Sequence, residues 1–183
     1  MQRHFADLLT AKEGADVTFK VGGETFAAHR CVLAARSRVF KAELFGPMKE
    51  GTATAGVIHV EDMDARVFRA MLEFIYRDSE PELEKGDDEA DIWQQLLAAA
   101  DRYDLERLKL MCEDKLCGFI DVKTTTAILA LAERHSCDGL KKACYDFLAA
   151  PGNAKTVMAT HGFDHLISSS PSVVKELLVM FAP

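Results

Sequence analysis

The sequence predicts an α+β protein, in which a small three-stranded sheet flanked by helices is followed by an all-α extension. The sheet is indicated by apolar residues that alternate with polar ones over residues 17–21, directly before a Gly-Gly pair. A strongly amphipathic pattern over residues 64–78 predicts a long helix with one apolar face. A gapless repeat of residues 96–116 in residues 128–148 predicts paired helices in the remainder.

The chain begins with a short amphipathic segment, residues 3–10, which places Phe5, Leu8 and Leu9 on one helical face. A helix of this length is not stable alone in water. It must therefore dock either on its own core or on another chain, and the pattern leaves both open.

The sheet and its neighbouring helices follow in order. Residues 17–21 and 24–27 form a strand hairpin around Gly22-Gly23. Two short helices come next, of which the second is capped by Ser37.

The second short helix is ended by Gly46-Pro47, and a third strand covers residues 57–60. Asp64 then caps the long amphipathic helix.

The repeat has an offset of 32 residues, and each copy reads as a helix, a short break and a second helix. Helical hairpins of fixed period stack because neither buries its apolar face alone. The identical pairs are Leu97/Leu129, Ala98/Ala130, Ala100/Ala132, Arg102/Arg134, Leu108/Leu140, Lys109/Lys141, Cys112/Cys144, Asp114/Asp146 and Leu116/Leu148.

The tail has a weaker pattern. It predicts a helix that ends at Gly162, a short helical turn, and a closing helix over residues 172–181 with Pro171 in its first turn.

Composition excludes several classes of function. A net charge of -7 argues against a protein that binds nucleic acid, and no apolar run reaches the ~20 residues that a membrane span needs. The five cysteines are odd in number and lack Cys-x-x-Cys spacing, so reduced thiols in the nucleus, the cytoplasm or both are expected.

No arrangement of residues predicts an enzyme, a metal site or a bound cofactor. His161 and His165 have the spacing of two ligands on a helix, but Gly162 stands where a zinc hydrolase places its glutamate. His29 and Cys31 lack a third orienting group, which favours a structural histidine over a nucleophile–base pair.

Three segments carry a resemblance to a known family. They read DVTFKVGGETFAAHRCVLAARSRVF, FRAMLEFIYRD and LLAAADRYDLERLKLMCEDKL. In order and spacing they resemble a BTB (POZ) domain, and within that superfamily the MATH–BTB proteins, which include the speckle-type POZ protein and plant relatives. The resemblance implies an N-terminal dimerisation helix in residues 1–13, a BTB/POZ fold in residues 14–120, and a helical extension with a shortened BACK-like region in residues 121–183.

The resemblance implies a function as well. Such proteins dimerise, bind the N-terminal domain of cullin-3, and act as substrate adaptors of a ubiquitin ligase. Met48-Lys49-Glu50 matches the family's hydrophobic-x-Glu cullin motif in the loop after the third helix. The residues alone also allow Met48 to fold back onto its own helix.

Self-association contacts are implied at two places. Phe5, Leu8 and Leu9 of the first helix, with Val32, fall where family dimer contacts fall. Leu177 and Leu178 fall on a helix that makes a second self-association contact in some relatives, so an oligomer larger than a dimer stays open.

Two further alternatives stay open. No MATH domain lies within these 183 residues, so substrate proteins would be recruited through a domain absent from this chain, which is either a fragment or a shortened relative. The competing function is a BTB self-association module of a transcriptional regulator that does not bind cullin.

Overall fold

The computed structural model describes residues 2–46, 57–83 and 88–180, with side chains from Ala6 onward. The chain divides into two compact units, Met1–Met111 and Cys112–Pro183. The predicted division after residues 13 and 120 stays a prediction.

The first unit combines the sheet with helices. Its elements are α1 (Gln2–Ala11), β1 (Val17–Val21), β2 (Glu24–Ala28), α2 (Arg30–Arg36), α3 (Arg38–Phe45), β3 (Val57–Val60), α4 (Ala65–Arg77), α5 (Glu89–Arg102) and the first part of α6 (Glu106–Cys117).

The second unit is helical in its described residues. It holds the end of α6 together with α7 (Thr125–Arg134), α8 (Asp138–Ala149), α9 (Asn153–Met158), α10 (His161–Ser169) and α11 (Pro171–Met180).

The sheet confirms the predicted hairpin and third strand. Its order is β2-β1-β3, with β2 antiparallel and β3 parallel to β1. Gly22 and Gly23 turn the hairpin with φ angles of 55° and 86°, a left-handed conformation that glycine adopts without steric cost.

A chain of aromatic rings fills the core beneath the sheet. Phe68 of α4 is fully buried, and its ring centroid lies 5.1 Å from that of Phe19 and 5.2 Å from that of Phe26. The row continues from Phe19 to Phe40 of α3, which stacks on Tyr103 at 4.4 Å. The apolar face predicted for residues 64–78 is therefore the face that covers the sheet.

The predicted helix caps are confirmed. The Ser37 hydroxyl accepts a hydrogen bond from the Phe40 N–H at 3.0 Å and donates one to the Tyr103 carbonyl at 2.6 Å. The Asp64 carboxylate accepts one from the Arg66 N–H at 2.7 Å.

The sequence repeat is a structural repeat. Both breaks contain one left-handed residue, Asp104 in the first hairpin and Ser136 in the second. In both, the next backbone N–H bonds at 2.8 Å to a carbonyl five residues earlier, Leu105 to Ala100 and Cys137 to Ala132.

One predicted boundary is wrong. Gly162 was expected to end a helix, but α9 ends at Met158 and Gly162 lies in the first turn of α10. The glycine is needed for close packing rather than for termination, since a Cβ atom there would overlap the Thr126 hydroxyl and lie 3.4 Å from its Cβ.

Candidate functional site

The C-terminal end of α3 leads into the predicted cullin motif. Gly46 ends the helix with its N–H bonded to the Ala42 carbonyl at 2.9 Å, and a Cβ atom at Gly46 would clash with that carbonyl. The preceding Phe45 exposes 52% of its surface. A large aromatic side chain is therefore half-exposed to solvent three residues before the first residue of the motif.

Met48, Lys49 and Glu50 themselves lie outside the described residues, so their role stays a prediction. Phe45 was not predicted as a site residue, although its spacing in the sequence indicates an exposed position. Phe40 and Leu44 are buried at i and i+4, and a residue one step beyond Leu44 is turned about 100° away from that face.

The residues predicted to form the dimer interface lie on α1 and α2. Phe5 belongs to α1, but its side chain is outside the described part; Leu8, Leu9 and Val32 are half-buried. Helix α1 packs against α4 of its own chain. This contact provides one docking surface for the short helix, and the partner contact stays a prediction.

His29 occupies a buried junction between the sheet and the helices. Its Nε2 lies 2.8 Å from the Glu13 carbonyl oxygen, and its Nδ1 lies 2.8 Å from the Tyr76 hydroxyl. A carbonyl only accepts, so Nε2 carries the proton and Nδ1 accepts from Tyr76. Both ring nitrogens have hydrogen-bond partners, so neither is available to act as a base for the Cys31 thiol.

Cysteine burial agrees with a structural role for most thiols. All five cysteines are free; Cys31 and Cys117 are exposed and the other three are buried. Burial raises the pKa of the Cys144 thiol to about 12, which suppresses the reactive thiolate at neutral pH.

The paired histidines of α10 belong to no cluster of three potential metal ligands in the part of the chain that the structure describes. His161 is exposed and its Nδ1 lies 3.8 Å from Asp164. Within residues 2–46, 57–83 and 88–180, no group of three or more potential metal ligands comes together.

Helix α11 presents the two predicted self-association leucines differently. Leu177 is 2% exposed and packs inward, whereas Leu178 is 66% exposed. The exposed side continues through Val179 and Met180. Any self-association surface on this helix would thus consist of Leu178 and its exposed neighbours.

A polar cluster fastens α11 to α7 and α8 within the second unit. The Lys141 ammonium lies 2.6 Å from Glu133 and 2.9 Å from Glu176. The Ser172 hydroxyl donates to Glu133 and the Tyr145 hydroxyl to Glu176, each at 2.7 Å. Every carboxylate oxygen of this cluster therefore has a donor.

The cluster shifts the pKa values of its members. Hydrogen bonds from Lys141 are the main cause that lowers the pKa of Glu133 and of Glu176. Burial alone would lower the pKa of Lys141, but its bonds to the two carboxylates outweigh burial and raise it. Because the pKa values of both carboxyls are lower in the folded chain than their ordinary value of 4.5, these groups stabilise the fold fully when the pH is above that value. This contribution is lost as the pH falls through the lowered pKa values.

We expect Lys141→Met to lower the free energy of unfolding at pH 7 by about 1 kcal/mol, because two carboxylates lose their shared cation. The difference from wild type should shrink from pH 5 to pH 3 as both carboxyls protonate, and urea unfolding at each pH measures it. Lys142→Met is the matched control, since its ion pair with Asp146 is exposed (76% and 66%). Equal losses in both variants would contradict the role of the cluster.

The BTB/POZ domain model matches residues 5–120, which is more than half of the chain. The chain belongs to the BTB/POZ family. The BPM/SPOP-type BACK domain model matches residues 124–178 of the same BTB/POZ chain.

The curated relatives of this BTB/POZ chain confirm the MATH–BTB resemblance. It is 44% identical over 97% of its length to BTB/POZ and MATH domain-containing protein 3 of Arabidopsis thaliana, covering 45% of that protein. It is 43% identical over 96% of its length to protein 4 of the same series, covering 39% of it, and 34% identical over 96% to protein 6, covering 44%. The chain thus spans less than half the length of these relatives.

One solved structure that the chain matches is the BTB domain of zebrafish PATZ1. It is 23% identical, with a TM-score of 0.49, over 63% of this chain and 87% of that chain.

These findings place the BTB/POZ chain in a family of adaptor-type interaction domains, whose members are generally non-enzymatic scaffolds. In the described residues, no helix combines the length and the apolar character that crossing a bilayer requires.

Proposed function

We propose that this BTB/POZ chain is a homodimeric adaptor that binds the N-terminal domain of cullin-3 and serves as the substrate-recruiting scaffold of a ubiquitin ligase. The observation that carries the proposal is the motif Met48-Lys49-Glu50, which begins three residues after the solvent-exposed Phe45 at the end of α3.

Among the described residues, Phe45 is an apolar group that has little to pack against in its own subunit. Phe45 keeps half of its surface in water, and burying such a ring or a methionine is worth about 1.5–3 kcal/mol. Gly46 fixes the direction in which the chain leaves α3, which limits the ordering cost of binding. Glu50 would accept hydrogen bonds at the edge of the contact.

Substrate recruitment is the second part of the proposal. The relatives are named as proteins that contain both BTB/POZ and MATH domains, and this chain covers less than half of each. Substrates would bind through a domain outside these residues, and the adaptor would act in the nucleus, the cytoplasm or both.

The test is titration calorimetry of the purified chain against the cullin-3 N-terminal domain, together with co-elution in gel filtration. Met48→Asp is expected to weaken binding about tenfold to a hundredfold, because it places a charge where the complex would bury the methionine thioether. Glu50→Ala and Phe45→Ala should weaken it less.

Leu110→Asp is the control, since it introduces the same charge at a position on α6 that is 65% exposed and lies outside every predicted contact surface. Analytical ultracentrifugation must show a dimer for wild type and for each variant. A stable dimer that gives no heat with cullin-3 would overturn the proposal and favour the self-association module of a transcriptional regulator. A monomer would overturn the dimeric scaffold itself.

A further inference from the structure

The outer edge of β2 offers backbone hydrogen-bonding groups that no described residue uses. The two-residue turn closes the hairpin with the pair Val21 and Glu24, and in such hairpins the closing pair exchanges both backbone bonds. Pairing alternates from there, so the N–H and C=O groups of Thr25 and Ala27 point away from β1. Neither residue has a backbone partner among residues 2–46, 57–83 and 88–180.

This edge is one wall of a groove of about 330 Å³. The groove is also lined by Leu9 and Lys12 at the end of α1 and by Leu72 and two arginines of α4. An edge of five residues is about 17 Å long, which suits a short extended segment.

Arg77 gives the groove its chemical character. Its Nε is buried and has no hydrogen-bond partner among the described residues, and no described carboxylate pairs with its guanidinium. A buried N–H of a charged group that lacks a partner is destabilising, and a carboxylate is the acceptor that matches a guanidinium best.

The other charges of the groove leave an excess of positive groups. Arg69 is already paired with Glu24 and lies over the Phe26 ring at 5.7 Å. Lys12 and Arg77 then face one further acid, Glu73. An incoming segment with acidic side chains would complement this surface, and a basic one would not.

We propose that this groove binds an extended acidic segment of a partner protein, which adds a strand to the edge of β2 and places a carboxylate against Arg77. Alternate side chains of such a strand point to the same face. Acids at every second position would therefore all face α4, where the arginines lie. The proposal is independent of cullin binding, because it uses β2, α1 and α4 rather than the segment after α3.

The test is fluorescence anisotropy with a labelled peptide, acetyl-Val-Glu-Val-Glu-Val-Glu-amide, titrated with the purified chain at low salt. We expect saturable binding, and no binding of the peptide in which lysine replaces each glutamate. A peptide N-methylated at alternate residues should not bind either, because it cannot pair with the strand edge. Binding of the methylated peptide as tightly as the parent would overturn the proposal.

Two variants locate the peptide. Arg77→Gln is expected to weaken binding at least about tenfold, whereas Arg107→Gln, an equal charge change on α6, should leave it unchanged. Thr25→Pro removes the outward N–H while sparing the bonds to β1, and it should abolish binding. Equal weakening by Arg77→Gln and Arg107→Gln would overturn the proposal.

Loss of folding and loss of self-association in the Thr25→Pro variant are distinguished by separate measurements. If the variant loses its cooperative thermal transition, the methylated peptide tests the strand edge without any mutation. If it instead weakens self-association in ultracentrifugation, a second copy of the chain covers the edge and the proposal is overturned.

Discussion

Replacing Phe68 with alanine is expected to lower the free energy of unfolding of the first unit by about 3–5 kcal/mol. Phe68 is fully buried and joins the sheet to α4 through its contacts with Phe19 and Phe26. Removing the ring loses its transfer free energy and leaves a cavity between two aromatic neighbours that cannot collapse into it. Most small domains have about 5–15 kcal/mol in total, so the loss is a large fraction.

Urea unfolding followed by circular dichroism measures this difference. Phe45→Ala is the matched control, since it deletes the same ring from a half-exposed position in the same unit and should cost about 0.5 kcal/mol or less. The two variants separate packing from recognition: Phe45→Ala is expected to keep stability while it weakens cullin-3 binding. If both phenylalanines cost the same, the aromatic row is not the core of this unit.

Replacing Tyr76 with phenylalanine is expected to cost about 1–3 kcal/mol for each buried group that it leaves without a partner. The Tyr76 hydroxyl accepts a hydrogen bond from the His29 backbone N–H and donates one to the His29 Nδ1, both at 2.8 Å. Burial raises the pKa of this phenol to about 12, so it holds its proton and donates throughout the neutral range. His29 is 8% exposed and has little access to water in exchange.

Tyr145→Phe is the control for this substitution. Its hydroxyl donates to Glu176 at an exposed position, where water replaces the bond, and we expect a change of about 0.5 kcal/mol or less. Thermal or urea unfolding of both variants gives the comparison. If the free energy of unfolding of Tyr76→Phe equals that of wild type, the hydrogen bonds of the His29 junction do not stabilise the fold.

The His29 junction also connects stability to the position of α1. The His29 Nε2–H bonds to the Glu13 carbonyl in the turn that follows α1, where Lys12 and Gly14 have positive φ angles. Loss of Tyr76 releases the ring that holds this turn. The helix predicted to form the dimer contact should then lose protection from hydrogen exchange before the sheet does.

Local signals predicted most of the fold. The alternation before Gly22-Gly23, the Ser37 and Asp64 caps and the gapless repeat are each set by neighbours within a few residues or by an internal copy. Such features depend on backbone dihedral angles and on hydrophobic periodicity, which a sequence displays directly. The resemblance to the MATH–BTB family added the predicted place of the cullin motif.

Contacts between distant residues were not predictable in the same way. His29 was predicted to be structural, but its partner Tyr76, 47 residues away, was not predicted. The error at Gly162 has the same cause, since its reason is the Thr126 side chain on another helix. The groove beside β2 was missed as well, because Arg77 reads in sequence as an ordinary solvated end of α4.

By itself, the sequence determined the α+β class, the identity and order of the described strands and helices, and the family to which the chain belongs. Only the tertiary structure decided which polar groups are buried with partners, which apolar side chains such as Phe45 and Leu178 stay in water, and that Arg77 lines a groove beside an unused strand edge. The physical reason is that hydrophobic periodicity shows which side of a segment is apolar and which is polar. Burial, hydrogen bonding and charge pairing depend instead on residues brought together from far apart in the chain.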